Sequence, residues 1–255
     1  MTLAWIVAAS IAGGALSVCA AALALLVRTA WIQSLVSYAI GALLGAAFLE
    51  VIPHAFEHGE PHQVAASILG GILAFFLLEK LFLWRHSHDE EEAEHVASEA
   101  AHDHGRSGAL IVVGDTVHNF LDGILIAAAF LQSTQLGIIT ALAIVAHEIP
   151  QEVGDFLILL HSGYSRLKAF WLNILSSAAT LVGGVLGYFV LQVVLGWTPV
   201  LLGFVAASMI YVAVADLIPG LHRRPELRAT LSQSILIALG IGSIALARGL
   251  IGGLH

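Results

Sequence analysis

The chain has 255 residues, 58% of them hydrophobic and only 11% charged, with a mean hydropathy of +0.91. Soluble domains carry roughly 25% charged residues, so this composition excludes a soluble globular protein and defines an integral membrane protein. The net charge of −8 comes mainly from one segment, 85–107, and so marks no acidic face for a partner; the single Cys19 excludes an internal disulfide.

Apolar runs of about 20 residues, the length that crosses a bilayer, recur along the chain. They fall at 3–27, 35–55, 64–84, 108–131, 136–160, 168–192, 197–219 and 231–251. The predicted fold class is an all-α membrane protein of eight transmembrane helices, with 1–255 forming a single transmembrane domain. The first run, "MTLAWIVAASIAGGALSVCAAALALLV", has no basic leader region and is long enough to span, so it reads as a helix and not as a cleavable signal. Small-residue runs such as "GGALS", "GALLGAA" and "GGVLG" would let helix backbones approach closely.

Basic residues orient these spans. Arg28, Lys80, Arg85, Arg106, Arg166, Lys168, Arg223, Arg224 and Arg228 all fall on one side, and only Arg248 falls on the other. The positive-inside rule places that side in the cytoplasm and both termini outside it. The expected membrane is the plasma membrane, the inner membrane in a bacterium.

Span 2 ends "FLEVIPHAFEH" (48–58), and span 7 ends "VADLIPGLH" (214–222). Each carries an acid three positions before the proline of an Ile-Pro pair, Glu50 before Pro53 and Asp216 before Pro219. The two spans run in opposite directions, which is what an inverted repeat leaves behind. This predicts a 3+2+3 arrangement, with spans 1–3 and 6–8 related and spans 4 and 5 between them. The one sizeable loop, 86–107, is cytoplasmic in this topology. It sets His86, His88, His95, His102 and His104 among carboxylates, with few large apolar residues. It should be disordered or partly helical, serving as a solvated linker or a weak metal-binding tract.

Span 4 reads "GDTVHNFLDGILIAAAF". Asp115, His118, Asn119 and Asp122 fall at i, i+3, i+4 and i+7, on one helix face. Span 5 reads "AHEIPQEVGDFLILL", where His147, Gln151 and Asp155 form a stripe with Glu148 and Glu152 beside it. A charge at bilayer depth costs ~2.5–3.5 kcal/mol on insertion scales. Neither span contains a Lys or Arg to neutralise these acids. A shared cation is the natural compensation. Nitrogen and oxygen donors without thiolate suit Zn²⁺, Fe²⁺, Mn²⁺ or Cd²⁺, held as one ion or as a close pair bridged by carboxylates. Pro150 removes a helix hydrogen bond and is expected to free the carbonyl near Ala146.

"HNFLDG" (118–123) and "HEIPQEVGD" (147–155) resemble the span 4 and span 5 signatures of the ZIP (ZRT/IRT-like) family of divalent metal transporters, in particular its LIV-1-type branch. The eight spans, outside termini and His-rich loop match as well, in the manner of a short bacterial-type chain. By position, the resemblance implies that His118, Asp122, His147 and Gln151 surround one metal, with Asn119, Asp122 and Glu148 contributing to a second. The branch pattern has a second His where this chain has Gln151, a weaker zinc ligand. Asn173, Ser176 or Ser177 of span 6 is expected to approach the site; His54 and Asp216 are candidate pathway residues, and Glu50 either serves likewise or simply pairs locally.

The function expected is uptake of a divalent transition metal, zinc foremost, with no catalytic cofactor. The partners are the metal ion and the lipid bilayer, not nucleic acid, and a homodimer is left open. The competing reading is an intramembrane zinc metalloprotease, since "HEIPQ" begins like H-E-x-x-H. Gln151 and Pro150 stand against it. A proton-coupled carrier using the acids as a relay is the third.

Overall fold

The computed structural model describes residues 1–24, 30–94, 104–222 and 226–252. Among these, eight helices are long and apolar enough to cross a membrane. Span 1 is Thr2–Ala24, and span 2 joins Ala30–Ala46 to Ile52–His58. Span 3 is Pro61–Glu94, span 4 His104–Gln132, span 5 Thr134–His161 and span 6 Arg166–Leu191. Span 7 runs from Thr198–Tyr211 to Ile218–Leu221, and span 8 is Leu227–Gly252. Each overlaps its predicted run.

Local chemistry sets several ends. Ser133 caps span 5 by accepting from the Leu136 amide at 3.0 Å, so a single residue separates spans 4 and 5 and forces them antiparallel. Ser165 caps span 6 in the same way through the Lys168 amide. Between spans 5 and 6, Gly163 takes φ +84°, a backbone state that favours glycine.

Span 5 is the most enclosed, with 67% of its apolar window buried, against 17% for span 3 and 11% for span 8. Span 5 is therefore the axis of the bundle, and spans 3 and 8 lie at its edge. Span 4 packs along span 6, span 1 along span 5, span 2 against span 8 and span 3 against span 7. Ile40, Leu43, Ile126, Leu136, Ile139 and Met209 fill the core between them. Glycines permit the tightest of these approaches. A Cβ on Gly123 would overlap the Thr180 carbonyl of span 6, and one on Gly183 would overlap the Phe120 carbonyl of span 4. Gly41 and Gly240 meet the facing backbones of spans 8 and 2 in the same manner.

Three local features bear on the expectations. Span 5 is one continuous helix through Pro150; the proline has no N–H, so the Ala146 carbonyl lacks its regular helical donor, as expected. Helix also extends into the acidic tract, up to Glu94 from span 3 and from His104 into span 4, leaving 95–103 outside the described residues together with the side chains across the rest of the tract. Finally, the two Ile-Pro segments follow π-helical turns, Ala47–Val51 in span 2 and Val212–Leu217 in span 7. Asp216 stands in the second, but its side chain lies outside the described residues, as do Arg28, Arg223 and Arg224.

Glu50 sits in the first π turn and is buried. Its carboxylate accepts from Gln135 Nε2 of span 5 at 2.9 Å and pairs with Arg248 Nε of span 8 at 3.1 Å. Arg248 also donates to the Leu49 carbonyl at 3.0 Å, a group whose helical partner four residues on is Pro53, which has no N–H to give. Glu50 thus pairs locally, one of the two roles open to it. Arg248→Ala strands the buried carboxylate. Because Arg248 is 53% exposed, the expected loss is moderate, about 1–2 kcal/mol. Thermal unfolding in detergent should register it, and adding Glu50→Gln should restore most of it; a second substitution that destabilises further would refute the pairing.

Candidate metal centre

Spans 4 and 5 bring four of the expected residues to one point. His118, Asp122, His147 and Glu148 each offer a ligand atom, and all four atoms lie within 4.8 Å of one another. The i, i+4 spacing of His118 and Asp122 stacks them on span 4, facing the adjacent His147 and Glu148 of span 5. His147 Nε2 is 3.2 Å from His118 Nε2 and 3.2 Å from Asp122 Oδ2. His118 Nε2 is 3.6 Å from Asp122 Oδ2 and 3.7 Å from Glu148 Oε1. Asp122, His147 and Glu148 are buried, and His118 is partly open.

The donor chemistry fits a divalent cation. Asp122 Oδ2 and Glu148 Oε1 are buried oxygens without a hydrogen-bond partner. Leaving such atoms unpaired is costly, and a cation would compensate them. His147 Nδ1 stands 3.4 Å from the Ala143 carbonyl. With its proton on Nδ1 donated there, Nε2 keeps its lone pair for a metal, the usual support of a ligating imidazole.

Asn119 and Gln151 do not join this quartet. Asn119 donates to Asp115 Oδ1 at 3.0 Å and to the Asp115 carbonyl at 3.1 Å, and its own carbonyl accepts from Thr180 of span 6 at 2.9 Å. Gln151 donates to Asp115 Oδ1 at 3.2 Å. Both amides converge on Asp115, one turn before His118. They brace the carboxylate, and the Gln151 bond ties span 5 to span 4.

Sequence reasoning set Glu152 beside the stripe and gave it no role. The structure buries it completely. Its carboxylate accepts a short hydrogen bond from Ser177, its backbone carbonyl accepts from Asn173 at 3.1 Å, and its second oxygen has no partner. Span 6 therefore does approach, through Asn173 and Ser177 beside Glu152 and through buried Ser176, which bonds to Asp115. Nothing in the spacing along span 5 separates Glu152 from Glu148 or Asp155. His54 lies elsewhere, at the far end of span 2 beyond Glu50.

An eight-helix membrane bundle enclosing a group of imidazoles and carboxylates defines a polytopic membrane protein whose interior is compatible with a metal ion. Residues 84–248 match the family model described as ZIP Zinc transporter. The chain is 33% identical to "Zinc transporter ZIP13" of Pongo abelii over 83% of its own length and 66% of the relative's. It is 31% identical to "Zinc transporter ZIP13" of Homo sapiens, covering 83% and 70%. It is 29% identical to "Zinc transporter ZIP13 homolog" of Drosophila melanogaster, covering 84% and 76%. The chain belongs to the ZIP family of zinc transporters. It spans about two thirds of the length of the first of these relatives. The family is one of transporters, not enzymes, which displaces the metalloprotease reading.

Proposed function

We propose that the protein carries divalent transition-metal ions, zinc foremost, into the cytoplasm through a site between spans 4 and 5. The observation that carries this reading is the buried four-donor group His118, Asp122, His147 and Glu148. Cadmium, iron and manganese are the other cargo ions that mixed nitrogen and oxygen donors suit. A second ion position uses Asn119, Asp122 and Glu148, with Gln151 adding its carbonyl oxygen to the first; family resemblance supports both. His118 and His147 ligate only as neutral rings, so acid competes with the metal.

The chain is a single transmembrane domain with both termini outside the cytoplasm and the 86–107 loop within it, in the plasma membrane, as the basic-residue asymmetry supports. The 3+2+3 arrangement draws support from the packing. Exchanging span 1 with 6, 2 with 7, 3 with 8 and 4 with 5 turns the 4–6 contact into 5–1 and the 2–8 contact into 7–3. The π turns fall in spans 2 and 7, which this exchange relates. Movement of the repeat-related helices against spans 4 and 5 alternates access to the ion. A homodimer is the assembly that fits a closed, symmetric membrane oligomer.

The test is uptake of Zn²⁺, Cd²⁺, Fe²⁺ and Mn²⁺ by proteoliposomes at neutral pH. Saturable flux with zinc foremost is expected, and folded protein that moves none of the four refutes the proposal. Restoring an imidazole through Gln151→His should shift preference towards zinc over manganese, on the order of tenfold. An unchanged ratio of the two uptake rates would remove residue 151 from the ion's surroundings.

A further inference from the structure

The outer end of span 2 carries a second group of metal-binding side chains. His54, Glu57 and His58 each place a ligand atom within 4.8 Å of the others. They stand at i, i+3 and i+4 on the helix Ile52–His58, so one face presents all three. Two histidines one turn apart on a helix are a recognised zinc-binding spacing. The His54 and His58 rings stack at 4.4 Å between centroids. His58 Nδ1 lies 2.9 Å from the His54 carbonyl, and a proton donated there leaves Nε2 free as the ligand atom. The helix stops at Gly59, so its unpaired carbonyls add partial negative charge beside the group.

Neighbouring acids are committed elsewhere. Glu50, one turn back, is held by Arg248 and Gln135. Glu60 accepts from the Gln63 amide at 2.8 Å at the start of span 3, and that bond holds its carboxyl below its ordinary value. Glu57 is exposed, as is His58, while His54 is half-buried towards the bundle. The group therefore has a wet side and a protein side.

We infer that His54, Glu57 and His58 form an extracytoplasmic capture site for a borderline divalent cation of the zinc class, bound by two imidazoles and one carboxylate with water completing the shell. Its placement outside rests on the topology proposed above; its ability to bind does not rest on transport. Three protein ligands with open positions make an exchangeable site, suited to receiving an ion and passing it on.

The experiment compares zinc stoichiometry of the full chain in detergent at neutral pH. The parent is the His118→Ala/His147→Ala protein, whose intramembrane group has lost both nitrogen donors; to it is added His54→Ala/His58→Ala. Loss of one bound zinc per chain between the two is the expected result. Equal stoichiometry overturns the inference. In proteoliposomes of the otherwise unaltered chain, His54→Ala/His58→Ala should raise the KM for zinc about tenfold, by lowering the ion's local concentration, and leave kcat unchanged. A failure of all variants to move metal would count against the transport reading alone, because the binding difference is read without flux.

Discussion

Proteoliposomes carrying His118→Ala/His147→Ala are expected to take up zinc at least ~100-fold more slowly than those carrying the unaltered chain. Loss of a residue that merely supports a ligand costs about 10–100-fold in metal affinity or activity, and here both nitrogen donors go at once. What remains is Asp122 and Glu148, two carboxylates drawn together with no Lys or Arg in the apolar stretches 111–132 and 134–160 that carry them. Two carboxylates alone suit hard cations better than zinc, so any residual flux should shift towards manganese. The protein should still assemble, because the imidazoles touch mainly each other and the two acids, whereas the span 4–span 6 seam is made by glycines and amides. Zinc flux within a few-fold of the unaltered chain, from protein of normal melting temperature, would place the permeation site elsewhere.

The second large effect concerns the seam behind the site. Gly123→Val should cost about 3 kcal/mol or more and lower uptake as well, since overpacking a close contact forces backbone shifts. Added carbons would meet the Thr180 carbonyl and the Gly184 amide nitrogen, which are backbone atoms and cannot rotate aside. Pushing span 6 away would also stretch the Thr180–Asn119 hydrogen bond, which helps to orient span 4 next to the quartet. Gly70→Ala is the matched control. Nothing lies within 4 Å of a Cβ there, so helix propensity alone should leave stability equal or slightly higher. Thermal unfolding of both variants in detergent decides the matter. If Gly123→Val melts with the unaltered chain, the seam is softer than its geometry implies.

The spans were legible because membrane burial imposes a simple rule: about 20 apolar residues per crossing, with polar punctuation between. The quartet was legible for a related reason. His118 with Asp122, and His147 with Glu148, are costly in lipid, so their recurrence on facing helices called for a cation. How the polar side chains pair with one another was not legible. Asn119 and Gln151 share the periodicity of the quartet, yet the structure turns both to Asp115. That choice depends on rotamers and on the distance between spans, neither of which is written in spacing along one chain. Pro150 was legible in part: a proline removes one helical hydrogen bond wherever it stands, but that span 5 runs on through it depends on the neighbouring helices. Glu50 could be read in either of two ways until a partner almost two hundred residues away, Arg248, settled it.

The two π turns have a geometric consequence. Each holds one residue more than an α-helix would use over the same stretch. It therefore acts as a dislocation in the helical lattice, offsetting the side chains beyond it by about 100° relative to an uninterrupted α-helix. Such a dislocation can migrate by exchanging one backbone hydrogen bond at a time, without melting the helix. Its passage past a residue would swivel that residue about the helix axis while the remainder of the span stays in place. In span 2 the Arg248–Leu49 bond clamps the dislocation at 47–51. The segment ahead of it carries His54 and His58, so their aim around the axis is set by a contact from the opposite end of the chain.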